Sequence, residues 1–139
     1  MKRVMALDVG FKRIGVALSD PLKLTAQPHE VIFRKSNRET FEKLLKTIEE
    51  KNVGTVVIGL PLNSKGEKTK IAEKIEKFAS KLKEFLKEHG KNDVKIVFTD
   101  ESFSTAEAEE LMNSLNRKRE FLDDIAAALI LKEWLESRS

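Results

Sequence analysis

The spacing of apolar positions changes period as the chain proceeds. Residues 3 to 9 and 12 to 19 read as two strands joined by a short turn through Gly10, with Ile14, Val16 and Leu18 on one face and Gly15 and Ala17 on the other. That spacing predicts a hairpin, and HEVIF at 29–33, beyond a loop from Pro21 to Pro28, adds a third strand. The period then lengthens. In SNRETFEKLLKTIEEK, Ser36 and Glu39 have capping-box spacing, and Phe41, Leu44, Leu45 and Ile48 share one helical stripe.

The run TVVIGL at 55–60 is apolar throughout, as a central parallel strand covered on both faces must be. After PLNSKGEK, the residues Ile71, Ile75, Phe78, Leu82 and Phe85 alternate spacings of four and three, which predicts a helix with one core face. VKIVFTDE at 94–101 is a further strand, ending in acid. Ser104 and Glu107 repeat the capping-box spacing and open a helix through Leu115. The basic loop NRKRE follows, then a last helix from about Leu122 to Glu136. The order β β β α β α β α α predicts an α/β fold, a mixed sheet with helices on both faces, in a single domain spanning 1–139.

Asp8 breaks this pattern, because it closes the run Val4, Met5, Ala6, Leu7 with an ionisable group. A buried carboxylate without partners loses several kcal/mol of hydration, roughly, so it must be paired, protonated or bound to a cation. Other acids also stand at element ends: Asp100 and Glu101 after the last strand, Asp123 and Asp124 at the start of the last helix. In open α/β sheets the crevice beyond the strand C-termini is where ligands bind, and adjacent strands would deliver Asp8 and Glu101 there together. At about 100° per residue, Asp123 falls on the edge of the apolar face formed by Leu122, Ile125, Ala126, Leu129 and Ile130, whereas Asp124 falls opposite. Asp8, Glu101 and Asp123 are therefore the candidate site.

Carboxylates gathered in one crevice repel one another unless a cation neutralises them. The chain has no cysteine, so the donors are hard oxygens and the fitting ions are Mg²⁺ or Mn²⁺. Two such ions about 4 Å apart activate water and stabilise the departing oxygen in phosphodiester hydrolysis. Taken singly, each acid has an ordinary structural explanation, as a turn residue or a helix cap; their coincidence is the signal. The two histidines, His29 in a strand and His89 at a helix end before Gly90, read as structural.

Charge adds a partner class. Lys and Arg number 26 against 23 Asp and Glu, a net +3 with a pI near 9.1, which permits a polyanionic partner without demanding one. Beside an acidic metal site, Lys12 and Arg13, and Arg117, Lys118 and Arg119 in the NRKRE loop, become a phosphate clamp. No stretch reaches membrane-spanning length, and a cytoplasmic location is expected.

Four segments, LDVGFKRIGVALSD (7–20), VVIGLPLNSKG (56–66), TDESFSTAEAE (99–109) and LDDIAAALIL (122–131), resemble in this order the four blocks of the YqgF/RuvX family, over nearly the whole chain. The resemblance implies a ribonuclease H-like mixed sheet of about five strands. It also implies Asp8, Glu101 and Asp123 as metal-binding catalytic carboxylates. The family is described both as Holliday junction resolvases and as nucleases maturing the precursor of small-subunit ribosomal RNA. A metal-dependent endonuclease acting at the 5′ end of pre-16S rRNA is the reading favoured, with structured RNA or branched DNA as substrate and pre-ribosomal particles as partners. Lys65, in the PLNSKG loop, is expected to contact substrate backbone. One position departs from the family, Ser102 in place of the usual arginine, and its absence lowers activity or shifts the duty to Arg13, Arg117 or Arg119.

Three rival readings stay open: a Holliday junction resolvase, a weakly catalytic nucleic-acid-binding module on the ribosome, and a nucleotide-binding ATPase. The last rests on the likeness of DVGFKRIGVAL to the first phosphate loop of actin-like and sugar-kinase ATPases. Nothing in the sequence sets the oligomeric state.

Overall fold

A computed structural model of the chain describes residues 2–62, 65–100 and 122–138. Its elements are β1 (Arg3–Val9), β2 (Arg13–Ser19), β3 (Ala26–Phe33), α1 (Asn37–Glu50), β4 (Val53–Leu60), α2 (Lys70–Glu88), β5 (Lys95–Asp100) and α3 (Asp123–Glu136). The five strands form one mixed sheet in the order β3-β2-β1-β4-β5. β1, β2 and β3 are an antiparallel meander, and β4 and β5 run parallel to β1.

The alternation read from the sequence is the alternation observed. Met5, Leu7, Val9, Ile14, Val16 and Leu18 lie in one core cluster with Phe41, Leu44 and Ile48 of α1 and Ile75, Phe78 and Leu82 of α2. Val4, Ala6, Ala17 and Val57 turn to the other face and meet Ala127, Ala128, Ile130 and Leu131 of α3. TVVIGL is an interior strand as expected, although β1 holds the centre of the sheet.

Local chemistry accounts for the helix starts. Ser36 is the N-cap of α1 and its hydroxyl accepts from the Glu39 amide at 3.2 Å; Thr69 does the same for α2 from Ala72 at 3.1 Å. His89 is the C-cap of α2, followed by Gly90 at φ +77°. Ile71, expected on the core stripe of α2, is 62% exposed, because the stripe begins one position later at Ala72. The expected helix from Ser104 to Leu115 lies outside the described residues. Among the described residues no helix is long and apolar enough to cross a membrane.

Candidate active site

Because β1, β4 and β5 are parallel, their C-terminal ends share one end of the sheet, and Leu7, Ile58 and Phe98 stand in one row across it. Asp8 is the next residue along β1, one position beyond that row. Its cross-strand partner is Gly15, so the two residues face the same side, where side chains of such pairs lie about 5 Å apart. That side belongs to α3. A Cβ added to Gly15 would overlap the carbonyl of Asp123 and the amide of Asp124. The glycine thus lets the first turn of α3 rest directly on β2, beside Asp8. A glycine inside a strand is the sequence signal of such a close backbone approach, and it marks a site residue that reasoning from acids alone missed.

Asp8 is partly buried at this junction. Asp123, the first residue of α3, is not the helix cap: Leu122 is, and no side chain caps the helix. Its carboxylate instead accepts a hydrogen bond from Arg13 Nε at 3.0 Å, an ion pair with side chains 34% and 19% exposed. Arg13, expected as a phosphate clamp, is thus engaged with one of the candidate acids. Both acids of the first helical turn, Asp123 and Asp124, also sit at the positive end of the helix dipole.

Asp124 departs from its expected place. It is 5% exposed, on the stripe that continues through Ala127, Ala128 and Leu131 toward the sheet. The angular reading chose the other side because α3 is apolar around most of its circumference, Ile125 and Leu129 being buried too. A helix of that kind has no polar face from which to tell which side meets the sheet.

Two of the remaining candidates, Lys12 and Lys65, stand around the same end. Lys12 is exposed in the β1–β2 turn. Lys65 is exposed in the loop that leaves the end of β4, closed by the bridge between Leu62 and Lys68. Glu101, Ser102, Arg117, Lys118 and Arg119 lie outside the described residues. Asp100 ends β5 in register with Leu60, whose side chain packs on the α1–α2 face, opposite to Asp8.

Arg34 is a second residue that the sequence reading passed over. Its Nη1 donates to the Gly10 carbonyl at 2.8 Å and its Nη2 to Asn37 Oδ1 at 3.0 Å, and the guanidinium lies 5.1 Å from the Phe78 ring centroid. Burial pushes its pKa below the ordinary arginine value. A single side chain thereby ties the turn after Asp8 to the start of α1.

The donor set among the described residues is carboxylate oxygen, the chemistry that suits Mg²⁺ or Mn²⁺. No group of three acidic or histidine side chains poised to hold a metal occurs among the described residues. The carboxylates of Asp8 and Asp123 are donors of the type such an ion takes, and a further oxygen donor would be needed to complete its shell.

A five-stranded mixed sheet with an antiparallel first half, a parallel second half and acids at the strand ends defines the ribonuclease H-like class of resolvase folds. Solved structures agree in fold: Thermus thermophilus RuvC superposes with a TM-score of 0.63 at 15% identity, covering 98% of this chain and 95% of that one. The Fowlpox virus resolvase, solved with Holliday junction DNA, gives 0.59 at 16% identity and covers 98% of each chain. The chain belongs to the RuvX family, described as "Holliday junction resolvase", whose match spans residues 2–137. Relatives named "Putative pre-16S rRNA nuclease" include one from Carboxydothermus hydrogenoformans, 42% identical over 99% of this chain and 98% of its own length. Another, from Sulfurihydrogenibium, is 39% identical over 100% of this chain and 93% of its own length.

Proposed function

We propose that the protein is a divalent-metal-dependent endonuclease that hydrolyses phosphodiester bonds in the 5′-end maturation of pre-16S rRNA, acting on pre-ribosomal particles in the cytoplasm. The observation that carries this reading is the seating of α3 on Gly15, which sets Asp123 beside the cross-strand partner of Asp8. Asp8, Asp123 and Glu101 would hold the metal. Of the adjacent acids Asp100 and Glu101, Glu101 is chosen because Asp100, the last residue of β5, shares its register with Leu60 on the opposite face of the sheet. When bound, Mg²⁺ or Mn²⁺ activates water and neutralises charge on the departing oxygen. The chain's own part is to fix the carboxylates on a rigid sheet and helix start, and to gather phosphate with Lys12, Lys65 and the basic residues at 117–119. Arg13 holds Asp123 in place through its Nε.

The ribosomal RNA precursor is preferred over a four-way DNA junction because the relatives carrying the rRNA name are 39–42% identical, whereas the resolvase structures are 15–16% identical. The family description keeps the junction as the second reading. The test is cleavage of both substrates by the purified protein with Mg²⁺ or Mn²⁺. Precursor RNA is expected to be cut, and Asp8→Asn to lower kcat by at least about 100-fold, since an amide cannot supply the charge that holds the ions. Full activity in Asp8→Asn would remove the carboxylate mechanism, and cleavage confined to the junction would move the assignment to the second reading.

A further inference from the structure

The tip of the first hairpin carries a side chain that this chemistry leaves unused. Phe11 is 86% exposed, between Gly10 and the exposed Lys12. A lone surface aromatic needs no explanation in general. Here the backbone around it is tied down on every side. The Gly10 amide donates to the Arg13 carbonyl at 2.9 Å, the Arg34 amide donates to the Lys12 carbonyl at 2.9 Å, and Arg34 Nη1 takes the Gly10 carbonyl at 2.8 Å. Arg34 therefore holds both carbonyls that flank Phe11, and is itself braced by Asn37 and the Phe78 ring. The conformational entropy of a turn tip, which binding would otherwise have to remove, is already reduced before a ligand arrives.

The turn also stands at the acidic end of the sheet. Asp8 precedes it on β1, and Arg13, which follows it, pairs with Asp123. An aromatic side chain on a braced turn, next to an ammonium group and at the end of the sheet that carries Asp8 and Asp123, matches one ligand chemistry: a nucleotide whose base stacks on the ring while its phosphate meets the lysine. We infer that Phe11 stacks on a nucleobase adjoining the scissile phosphodiester, and that Arg34 is the positioning residue that presents it. This inference rests on the nuclease reading.

The experiment uses the full chain and a short single-stranded RNA matching the cleaved region, with 2-aminopurine placed at successive positions, and an abasic version at the position that responds. Its DNA counterpart runs in parallel. Phe11→Ala is expected to weaken binding about tenfold on the strand type that is cleaved, with Phe11→Trp restoring it, and with no change in Tm because the side chain is 86% exposed. Wild type should quench 2-aminopurine at one position and lose a similar factor on the abasic strand, whereas Phe11→Ala should not distinguish the abasic strand from the intact one. Arg34→Lys should keep the charge and lose part of the quenching. If wild type binds and cleaves while Phe11→Ala matches it in Kd and in its response to the abasic strand, the stacking role is overturned and the nuclease reading stands. A wild-type protein that neither binds nor cleaves either strand with Mn²⁺ overturns both.

Discussion

The two faces of the sheet are built to opposite specifications. On the α1–α2 side large side chains interlock: Leu7, Ile14, Leu44, Ile58 and Leu82 are fully buried, and the Phe41 and Phe78 rings meet edge to face with centroids 5.2 Å apart. On the α3 side Val4, Val57, Ile130 and Leu131 share the contact with Ala6, Ala17, Ala127 and Ala128, and at the start of the helix the sheet offers only the bare backbone of Gly15. Thick packing holds a helix away from the sheet, and thin packing lets a helix terminus touch it. Only the second arrangement can place the acids of a helix start beside an acid on a strand. The comparison teaches that the bulk of the packing and the candidate acids Asp8 and Asp123 lie on different faces of one sheet.

Substitutions can break that division, beginning with the thick face. Leu82→Ala should cost about 2–5 kcal/mol of stability while leaving kcat unchanged in the fraction that stays folded. Denaturant unfolding paired with single-turnover cleavage measures both. A large loss of kcat in the folded fraction would show that the two faces are not separable.

Gly15→Ala, on the thin face, should cost about 1–3 kcal/mol by overpacking. Its signature is that cleavage falls much further than stability, because the Asp123 carbonyl must retreat and carry its carboxylate away from Asp8. Equal proportional losses in the two would mean that the contact serves packing alone.

Arg13→Gln removes the partner of Asp123. The pair is partly exposed, so its loss should cost at most about 1 kcal/mol in stability. Mn²⁺ affinity, followed by thermal shift with the metal as ligand, should fall through poorer placement of Asp123. Unchanged affinity would leave Arg13 with substrate binding only.

The smallest effect is expected at the far end of the sheet. Asp20 accepts from the amides of Leu22, Leu24 and Thr25 and from the Thr25 hydroxyl, closing the β2–β3 loop. These bonds, led by that from the Thr25 amide, hold its pKa below the ordinary 3.8. Since the folded value is the lower one, the contribution is complete above that range and is lost as pH falls through the folded pKa. The Tm gap between wild type and Asp20→Ala should therefore be small at neutral pH and close in strong acid, with cleavage at neutral pH unaltered.

Much of the scaffold could be read from local pattern. Ser36 caps α1 as its spacing to Glu39 demands, and the alternation through Ile14, Val16 and Leu18 identified the core face of β2. Asp8 announced itself by interrupting an apolar run. The account failed where pattern carries no direction. An all-apolar α3 has no marked side, so Asp124 was assigned away from the sheet that buries it. The stripe of α2 slipped by a residue because Ala72 is too small to register as an anchor beside Ile71. Arg34 was overlooked because its partners, Gly10 and the Phe78 ring, are distant in sequence and unremarkable in type.

By itself, then, the sequence determined the kind and order of the described elements, the faces taken by the residues of β1 and β2, the absence of thiol chemistry and the family, although β3 begins at Ala26, inside the loop expected from Pro21 to Pro28. Those follow from the period of side chains about a single strand or helix, which is a local property of the backbone. Only the tertiary structure decided that β1 lies between an antiparallel and a parallel neighbour, that Gly15 lies opposite Asp8 and under α3, and that Arg13 reaches Asp123 across 110 positions. Strand register and helix docking are set by the fit of whole surfaces, and no local periodicity encodes that fit.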